Sequence, residues 1–222
     1  MTSRYNDRSL SKVEVTGFEA RHYDFFMNTI TAGTYPFFIR RAVKEMLVQP
    51  DDEILVFGSG TGRNLSLMNK YLSEDKGRIV GLDIGPEMLE QARHRFANHS
   101  HITIIDQRIE ESLPYEGEFN KVFMAFVLHG FIQEDRLKII TNVQRALRPG
   151  GELIILDYNE FDLESSPRLV RFVFGLECPL ATDFVERDLK TTLIDKGFGE
   201  FRVYTHYRGY VRLLAARKAG GN

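Results

Sequence analysis

The run Ile54-Leu55-Val56-Phe57-Gly58-Ser59-Gly60-Thr61-Gly62 constrains this chain more than any other stretch. Four apolar residues lead into three glycines at alternate positions. A short apolar run bounded by a turn reads as a buried strand. Glycines in that pattern mark a turn where no Cβ is tolerated. Beyond the turn, Leu65, Met68 and Leu72 recur at the spacing of a helix. Strand, glycine turn and helix together predict a loop whose backbone can approach a nucleotide-like ligand closely. The helix N-terminus then adds unpaired N–H groups. Glycine alternation alone leaves open which ligand that is.

The remaining chain repeats the alternation of strand and helix. Pro36 predicts the first turn of a helix reaching Met46, with Ile39, Ala42, Val43 and Met46 on its apolar stripe. Residues 79–83 read as a second strand, ending on Asp83. Asp83 lies 21 residues past Gly62, where a doubly wound fold sets an acid on ribose hydroxyls. A carboxylate suits a vicinal diol because it accepts two hydrogen bonds. Pro86 predicts the next helix, residues 101–106 a third strand and residues 119–126 a strongly apolar fourth. A helix over 134–147 ends on Arg148-Pro149-Gly150-Gly151. Residues 152–158 then form a fifth strand, and an insertion follows at about 159–180. Residues 181–196 read as one helix. Two strands, 198–206 and 210–216, joined across Arg208-Gly209, predict an antiparallel finish at the edge of a mixed sheet. The fold expected is α/β, a mostly parallel sheet with helices on both faces. Residues 1–45, rich in aromatics, form an expected cap over the substrate site, and residues 46–222 the main domain.

Composition narrows function by exclusion. The formal net charge is −2 and there is no long basic run, which disfavours a nucleic-acid backbone as the main partner. A single cysteine, Cys178, permits no intrachain disulfide and no cysteine-based zinc site. No metal is expected. No stretch is apolar enough to span a bilayer, and the polar start does not read as a secretory signal. The expectation is a cytoplasmic protein, with transient contact with a membrane surface left open and either a monomer or a homodimer allowed.

Four segments together resemble the class I S-adenosylmethionine-dependent methyltransferases. They are Gly58-Ser59-Gly60-Thr61-Gly62, Leu82-Asp83-Ile84-Gly85-Pro86-Glu87-Met88-Leu89, the loop from Glu110 to Tyr115, and Leu147-Arg148-Pro149-Gly150-Gly151-Glu152-Leu153. Among subgroups, the chain looks most like small-molecule enzymes typified by ubiquinone/menaquinone C-methyltransferases, over roughly residues 45 to 217. The resemblance implies a Rossmann-like seven-stranded sheet with an antiparallel last strand, S-adenosyl-L-methionine as cofactor, and a small-molecule acceptor.

The resemblance also implies residue roles. Gly58, Ser59, Gly60, Thr61 and Gly62 would cradle the methionine part and ribose, and Asp83 would bind the ribose hydroxyls. Ile84 and Met88 would lie near adenine. The adenine edge would meet backbone groups at Arg108 and Ile109, with Asp106 or Gln107 assisting. Ala125 would border the cofactor at the end of the fourth strand. His129 is the first candidate for a general base, with Tyr158 and Tyr23 as further candidates for the catalytic pocket. The aromatic N-terminal segment favours an apolar or ring-containing acceptor. One departure stands out. The family commonly carries an acid two positions before the first glycine, and this chain has Val56. That departure keeps two alternatives open: a non-methylating enzyme on the same fold, and a ligand-binding protein without catalysis.

Overall fold

The computed structural model describes residues 35–176 and 179–220. The expected cap, Tyr23 included, falls largely outside them, as does Cys178. The elements are α1 (Tyr35–Glu45), β1 (Glu53–Phe57), α2 (Arg63–Met68), β2 (Arg78–Asp83), α3 (Pro86–Arg95), β3 (Ile102–Asp106), β4 (Phe119–Ala125), α4 (Gln133–Ala146), β5 (Leu147–Tyr158), α5 (Arg168–Leu176), α6 (Pro179–Val185), α7 (Leu189–Asp195), β6 (Phe198–His206) and β7 (Val211–Lys218).

The strands form one sheet in the order β3-β2-β1-β4-β5-β7-β6. All of them run parallel except β7, which is antiparallel to both β5 and β6. This is the expected Rossmann-like sheet with its antiparallel C-terminal hairpin, and β7 is inserted between β5 and the edge strand β6. Strand order reverses between β1 and β4. A crevice therefore opens at their C-terminal ends, the place where open α/β sheets bind ligands.

Period-two alternation sends successive side chains to opposite layers. Leu55 and Phe57 of β1 join Val122, Met124, Leu153, Ile155 and Leu214 in one buried layer, covered by α4, α6 and α7. Ile54 and Val56 join Phe123, Ile154, Leu156 and Leu213 in the other, covered by α1 and α2. Both faces of the central strands are apolar because both are covered, which is why β1 reads as a continuous hydrophobic run.

Two local features differ from the sequence-based expectation. The Arg148-to-Gly151 turn does not precede β5 but bulges within it: Leu147 pairs with Phe119, and Glu152 next pairs with Lys121. Gly150 takes φ +76, and a Cβ on Gly151 would stand 3.0 Å from the carbonyls of Arg148 and Asn120. The helix expected over 181–196 is two helices, α6 and α7. The Asp188 carboxylate accepts from Thr191 N at 2.9 Å and starts α7 afresh.

Gly81 shows how tightly β2 supports the glycine turn. A Cβ there would lie 2.9 Å from Ser59 Cβ and 3.0 Å from Leu65 Cδ2. Gly81→Ala is expected to destabilise the fold by about 1–3 kcal/mol, the usual cost of overpacking. Gly199→Ala, with nothing within 4 Å of the added carbon, should cost nothing comparable. Urea midpoints for the two variants check this.

Candidate functional site

The glycine turn is built at the β1 end of the crevice. Gly58, Gly60 and Gly62 take φ +67, +54 and +79, a region closed to most side chains. A Cβ on Gly58 would also stand 2.5 Å from Val127 Cγ2. Ser59 N donates to Leu82 O at 2.9 Å and Gly62 N to Ser59 O at 3.0 Å. Ser59 and Thr61 are buried, so they shape the turn from behind.

Asp83 holds this turn from β2. Its Oδ2 accepts from Gly60 N at 2.7 Å, while Oδ1 accepts from Ile84 N at 2.9 Å and Gly85 N at 3.0 Å. Val56 is 1% exposed and sits in the α1/α2 layer. The missing acid at that position therefore does not leave the turn without a carboxylate, because Asp83 supplies one.

The adjoining wall is the segment after β3. Gln107 N donates to Asp83 O at 3.0 Å, tying the segment to β2. Ile109 is buried, and Arg108 pairs with Glu110 at 2.7 Å. The segment is pinned from behind by Asn142 of α4, whose Nδ2 donates to the carbonyls of Ile109 at 2.8 Å and Glu111 at 2.6 Å.

The third wall follows β4. Phe126 takes φ +54, a rare conformation for a bulky residue and one that concentrates at functional sites. Its ring lies 5.9 Å from Tyr158 and 6.3 Å from Phe38 of α1. A short 3-10 turn, Leu128–Gly130, then carries His129. His129 Nδ1 is 2.7 Å from Asp157 Oδ1, and the two side chains are 11% and 1% exposed. Asp157 also accepts from Leu128 N at 3.1 Å, His129 N at 3.3 Å and Tyr158 N at 2.8 Å. The His129 and Tyr158 rings are 4.9 Å apart.

The 3-10 turn is bolted to the insertion by Arg136 of α4, which is 2% exposed. Its guanidinium donates to Leu128 O at 3.1 Å, His129 O at 3.2 Å, Leu180 O at 2.9 Å and Asp183 Oδ2 at 2.6 Å. Burial pushes the Asp183 carboxyl up, but the hydrogen bond from Arg187 and the charge of Arg136 outweigh it. The carboxyl stays below the ordinary range.

The three walls border an open cleft lined among others by Gly58, Asp83, Ile84, Gln107, Arg108, Ile109, Phe126, His129 and Phe131. Seven of the residues the sequence singled out, Gly58, Asp83, Ile84, Gln107, Arg108, Ile109 and His129, line it. Met88 is buried outside the lining. Asp106 is exposed at the end of β3, and Ala125 packs toward the α1/α2 layer. Tyr158 packs behind His129 against Phe174, at 4.8 Å. Asp157, Asn142 and Arg136 were missed. Each betrays itself only as a polar residue at a position where strand or helix periodicity calls for an apolar one. Among the described residues, no group of three or more potential ligands could hold a metal, and no helix is long and apolar enough to cross a membrane.

Comparison with known proteins bears on the fold. Residues 54–151 match the family described as Methyltransferase domain. The chain is 26% identical over 191 residues to the uncharacterized methyltransferase sll0829 of Synechocystis, covering 85% of this chain and 86% of that protein. It is 27% identical to the ubiquinone/menaquinone biosynthesis C-methyltransferase UbiE of Shewanella frigidimarina, covering 63% of this chain but only 56% of that protein. A solved structure of a SAM-dependent methyltransferase from Aquifex aeolicus superposes with a TM-score of 0.58 at 21% identity, covering 81% of this chain and 88% of that one. The fold is that of the class I S-adenosylmethionine-dependent methyltransferases.

Proposed function

We propose that this chain, which has the class I methyltransferase fold, transfers a methyl group from S-adenosyl-L-methionine to a small acceptor that is apolar or ring-containing. The observation that carries the reading is the cleft at the β1/β4 switch point, where the Gly58 turn, the Asp83 carboxylate and the apolar Ile84 and Ile109 face one space. That combination suits a ligand with a diol, a flat aromatic base and a charged amino-acid tail. The cofactor supplies a methyl already activated on a sulfonium. The chain's own work is to align the acceptor with that methyl and to keep water out.

In this reading Asp83 binds the ribose and the glycine turn admits the methionine portion. Ile84 and Ile109 flank the adenine, with Gln107 and Arg108 at its edge. Ser59, Thr61, Met88 and Ala125 support these groups from behind, and the exposed Asp106, beside Asp83 in the sheet, assists at the adenine edge. His129 stands at the acceptor end as general base, with Tyr158 beside it. Helix α1 borders that end, where the Phe38 ring meets those of Phe126, His206 and Tyr207 at 6.3, 5.0 and 5.0 Å. The aromatic surroundings and the names of the UbiE relatives support an apolar ring as acceptor.

Calorimetry with S-adenosylmethionine tests the cofactor assignment. Binding saturable at one site per chain is expected, and no binding overturns the reading. Mass analysis of a turnover mixture tests the reaction: one methyl added per acceptor should accompany one S-adenosylhomocysteine.

A further inference from the structure

We infer that Asp157 is a positioning residue that makes His129 a proton acceptor, so that the atom methylated is one that must lose a proton. The inference rests on the methyl-transfer reading above. A carboxylate on Nδ1 holds the proton there and leaves Nε2 as the basic nitrogen. The histidine lines the cleft that also holds Gly58 and Asp83, so its base and the methyl donor share one space.

The site is built for that task. Asp157 lies at the end of β5, on the same face as Leu153 and Ile155, where the strand is otherwise apolar. At 1% exposure a carboxylate is costly unless it is satisfied. Asp157 is satisfied by three backbone N–H groups and the imidazole. Two of those N–H groups belong to the 3-10 turn that carries His129, so one side chain fixes both the turn and the ring. Arg136 fixes the same turn from the opposite side through the carbonyls of Leu128 and His129. An acceptor needing only alignment would not require an imidazole paired with a buried carboxylate on a turn that Arg136 pins as well.

The acceptor atom gives its proton to His129 Nε2 and directs the freed electron pair to the sulfonium methyl. The S–CH3 bond breaks with its electrons passing to sulfur, giving S-adenosylhomocysteine. Asp157 then stabilises the imidazolium until its proton passes to solvent. Among the described residues, the charged or titratable groups around His129 include Asp157 and Tyr158 on β5, Arg136 on α4 with Asp183 behind it on α6, Arg212 across the strand pair from Asp157, and Glu110 in the cleft wall.

The test compares 2-naphthol and phenol, whose acceptor oxygens still carry a proton at neutral pH, with N-methylaniline, whose nitrogen has a lone pair already available. The full chain should methylate the first two in preference to the amine, with kcat rising with pH through one ionisation. Asp157→Asn should lower kcat by about 100-fold or more, the range of general-base assistance, with S-adenosylmethionine affinity unchanged by calorimetry. Removing a neighbouring anion favours neutral imidazole, so the residual activity should reach its plateau at lower pH than in the wild type. Asp157→Glu should recover part of the rate. If Asp157→Asn does not fold, His129→Gln, which leaves the carboxylate's bonds to the backbone intact, should lose a comparable factor and the pH-dependent limb. Preference for the amine overturns the inference. So does an unchanged rate and pH profile in either variant, or failure of the cofactor-loaded protein to methylate either acidic probe. Absence of S-adenosylmethionine binding would instead sink the underlying reading.

Discussion

Asp83→Ala is expected to weaken S-adenosylmethionine binding by about 100- to 1,000-fold. Two losses combine in this variant. A hydrogen bond from a hydroxyl to a charged carboxylate contributes about 1.5–3 kcal/mol, and a backbone N–H left without its partner costs about 1–3 kcal/mol. Asp83 bears on both, because the carboxylate proposed for the ribose also orders Gly60, Ile84 and Gly85. A total near 3–4 kcal/mol corresponds to two to three decades in affinity. The bonding pattern adds detail. A carboxylate offers about four lone-pair sites, and three already accept backbone N–H groups. One site on Oδ2 remains for a ribose hydroxyl, and the second hydroxyl must displace the Gly60 N–H or share with it. Cofactor binding should therefore shift the glycine turn. Asp83→Asn should be nearly as damaging as the alanine variant, because an amide cannot accept at both ends and would turn an NH2 toward an N–H donor. Calorimetry and the thermal shift on adding S-adenosylmethionine both measure the effect. An affinity within five-fold of the wild type would exclude the role given to Asp83.

That dual role explains what the sequence could and could not disclose. The glycine turn, Asp83 and the C-terminal hairpin are local signals. Each is a short pattern whose residue types answer a backbone demand, so each can be read along the chain. Val56 was a local signal too, but its consequence was not local. The carboxylate that orders the turn comes from 23 residues away, and nothing in the spacing announces that it bonds to Gly60. The same holds for His129. Its place after β4 follows from strand order, whereas its partner Asp157 is 28 residues further on and becomes its neighbour only because β4 and β5 pair side by side. Asn142 reaches 33 residues back to Ile109. Periodicity can say that Asp157 and Asn142 are out of place on apolar faces; it cannot say which group each one satisfies. The single helix expected over 181–196 failed for a different reason. Its apolar period continues through the break, and the local competition won by the Asp188 cap divides it.

The buried ion pair behind His129 yields the largest expected change in stability. Asp183→Ala should cost about 3–5 kcal/mol, the range for breaking a buried pair by removing one partner. Arg136 is then left as a 2% exposed cation, and a guanidinium cannot escape by losing its proton. Arg136→Met should cost less. Asp183 keeps its two bonds to Arg187, at 2.6 and 2.8 Å, and the principal loss is the donors to three carbonyls. Replacing both residues, as Arg136→Met with Asp183→Leu, should recover part of the single-variant loss, because no buried charge is then unpaired. The acid limb gives an independent check. The Asp183 carboxyl is held below the ordinary carboxylate value, so its contribution is complete above the unfolded value, near 4. It is lost as pH falls through the lower folded value. The stability gap between the wild type and Asp183→Ala should be constant near neutrality and narrow only in acid. Urea titrations across pH measure it, and a gap that stays constant into acid would refute the ionised pair. The variants should also separate stability from chemistry. Arg136→Met frees the carbonyls of Leu128 and His129 but leaves every bond of Asp157 in place. At a temperature where it remains folded, it should therefore retain more activity than Asp157→Asn, although it melts earlier than the wild type.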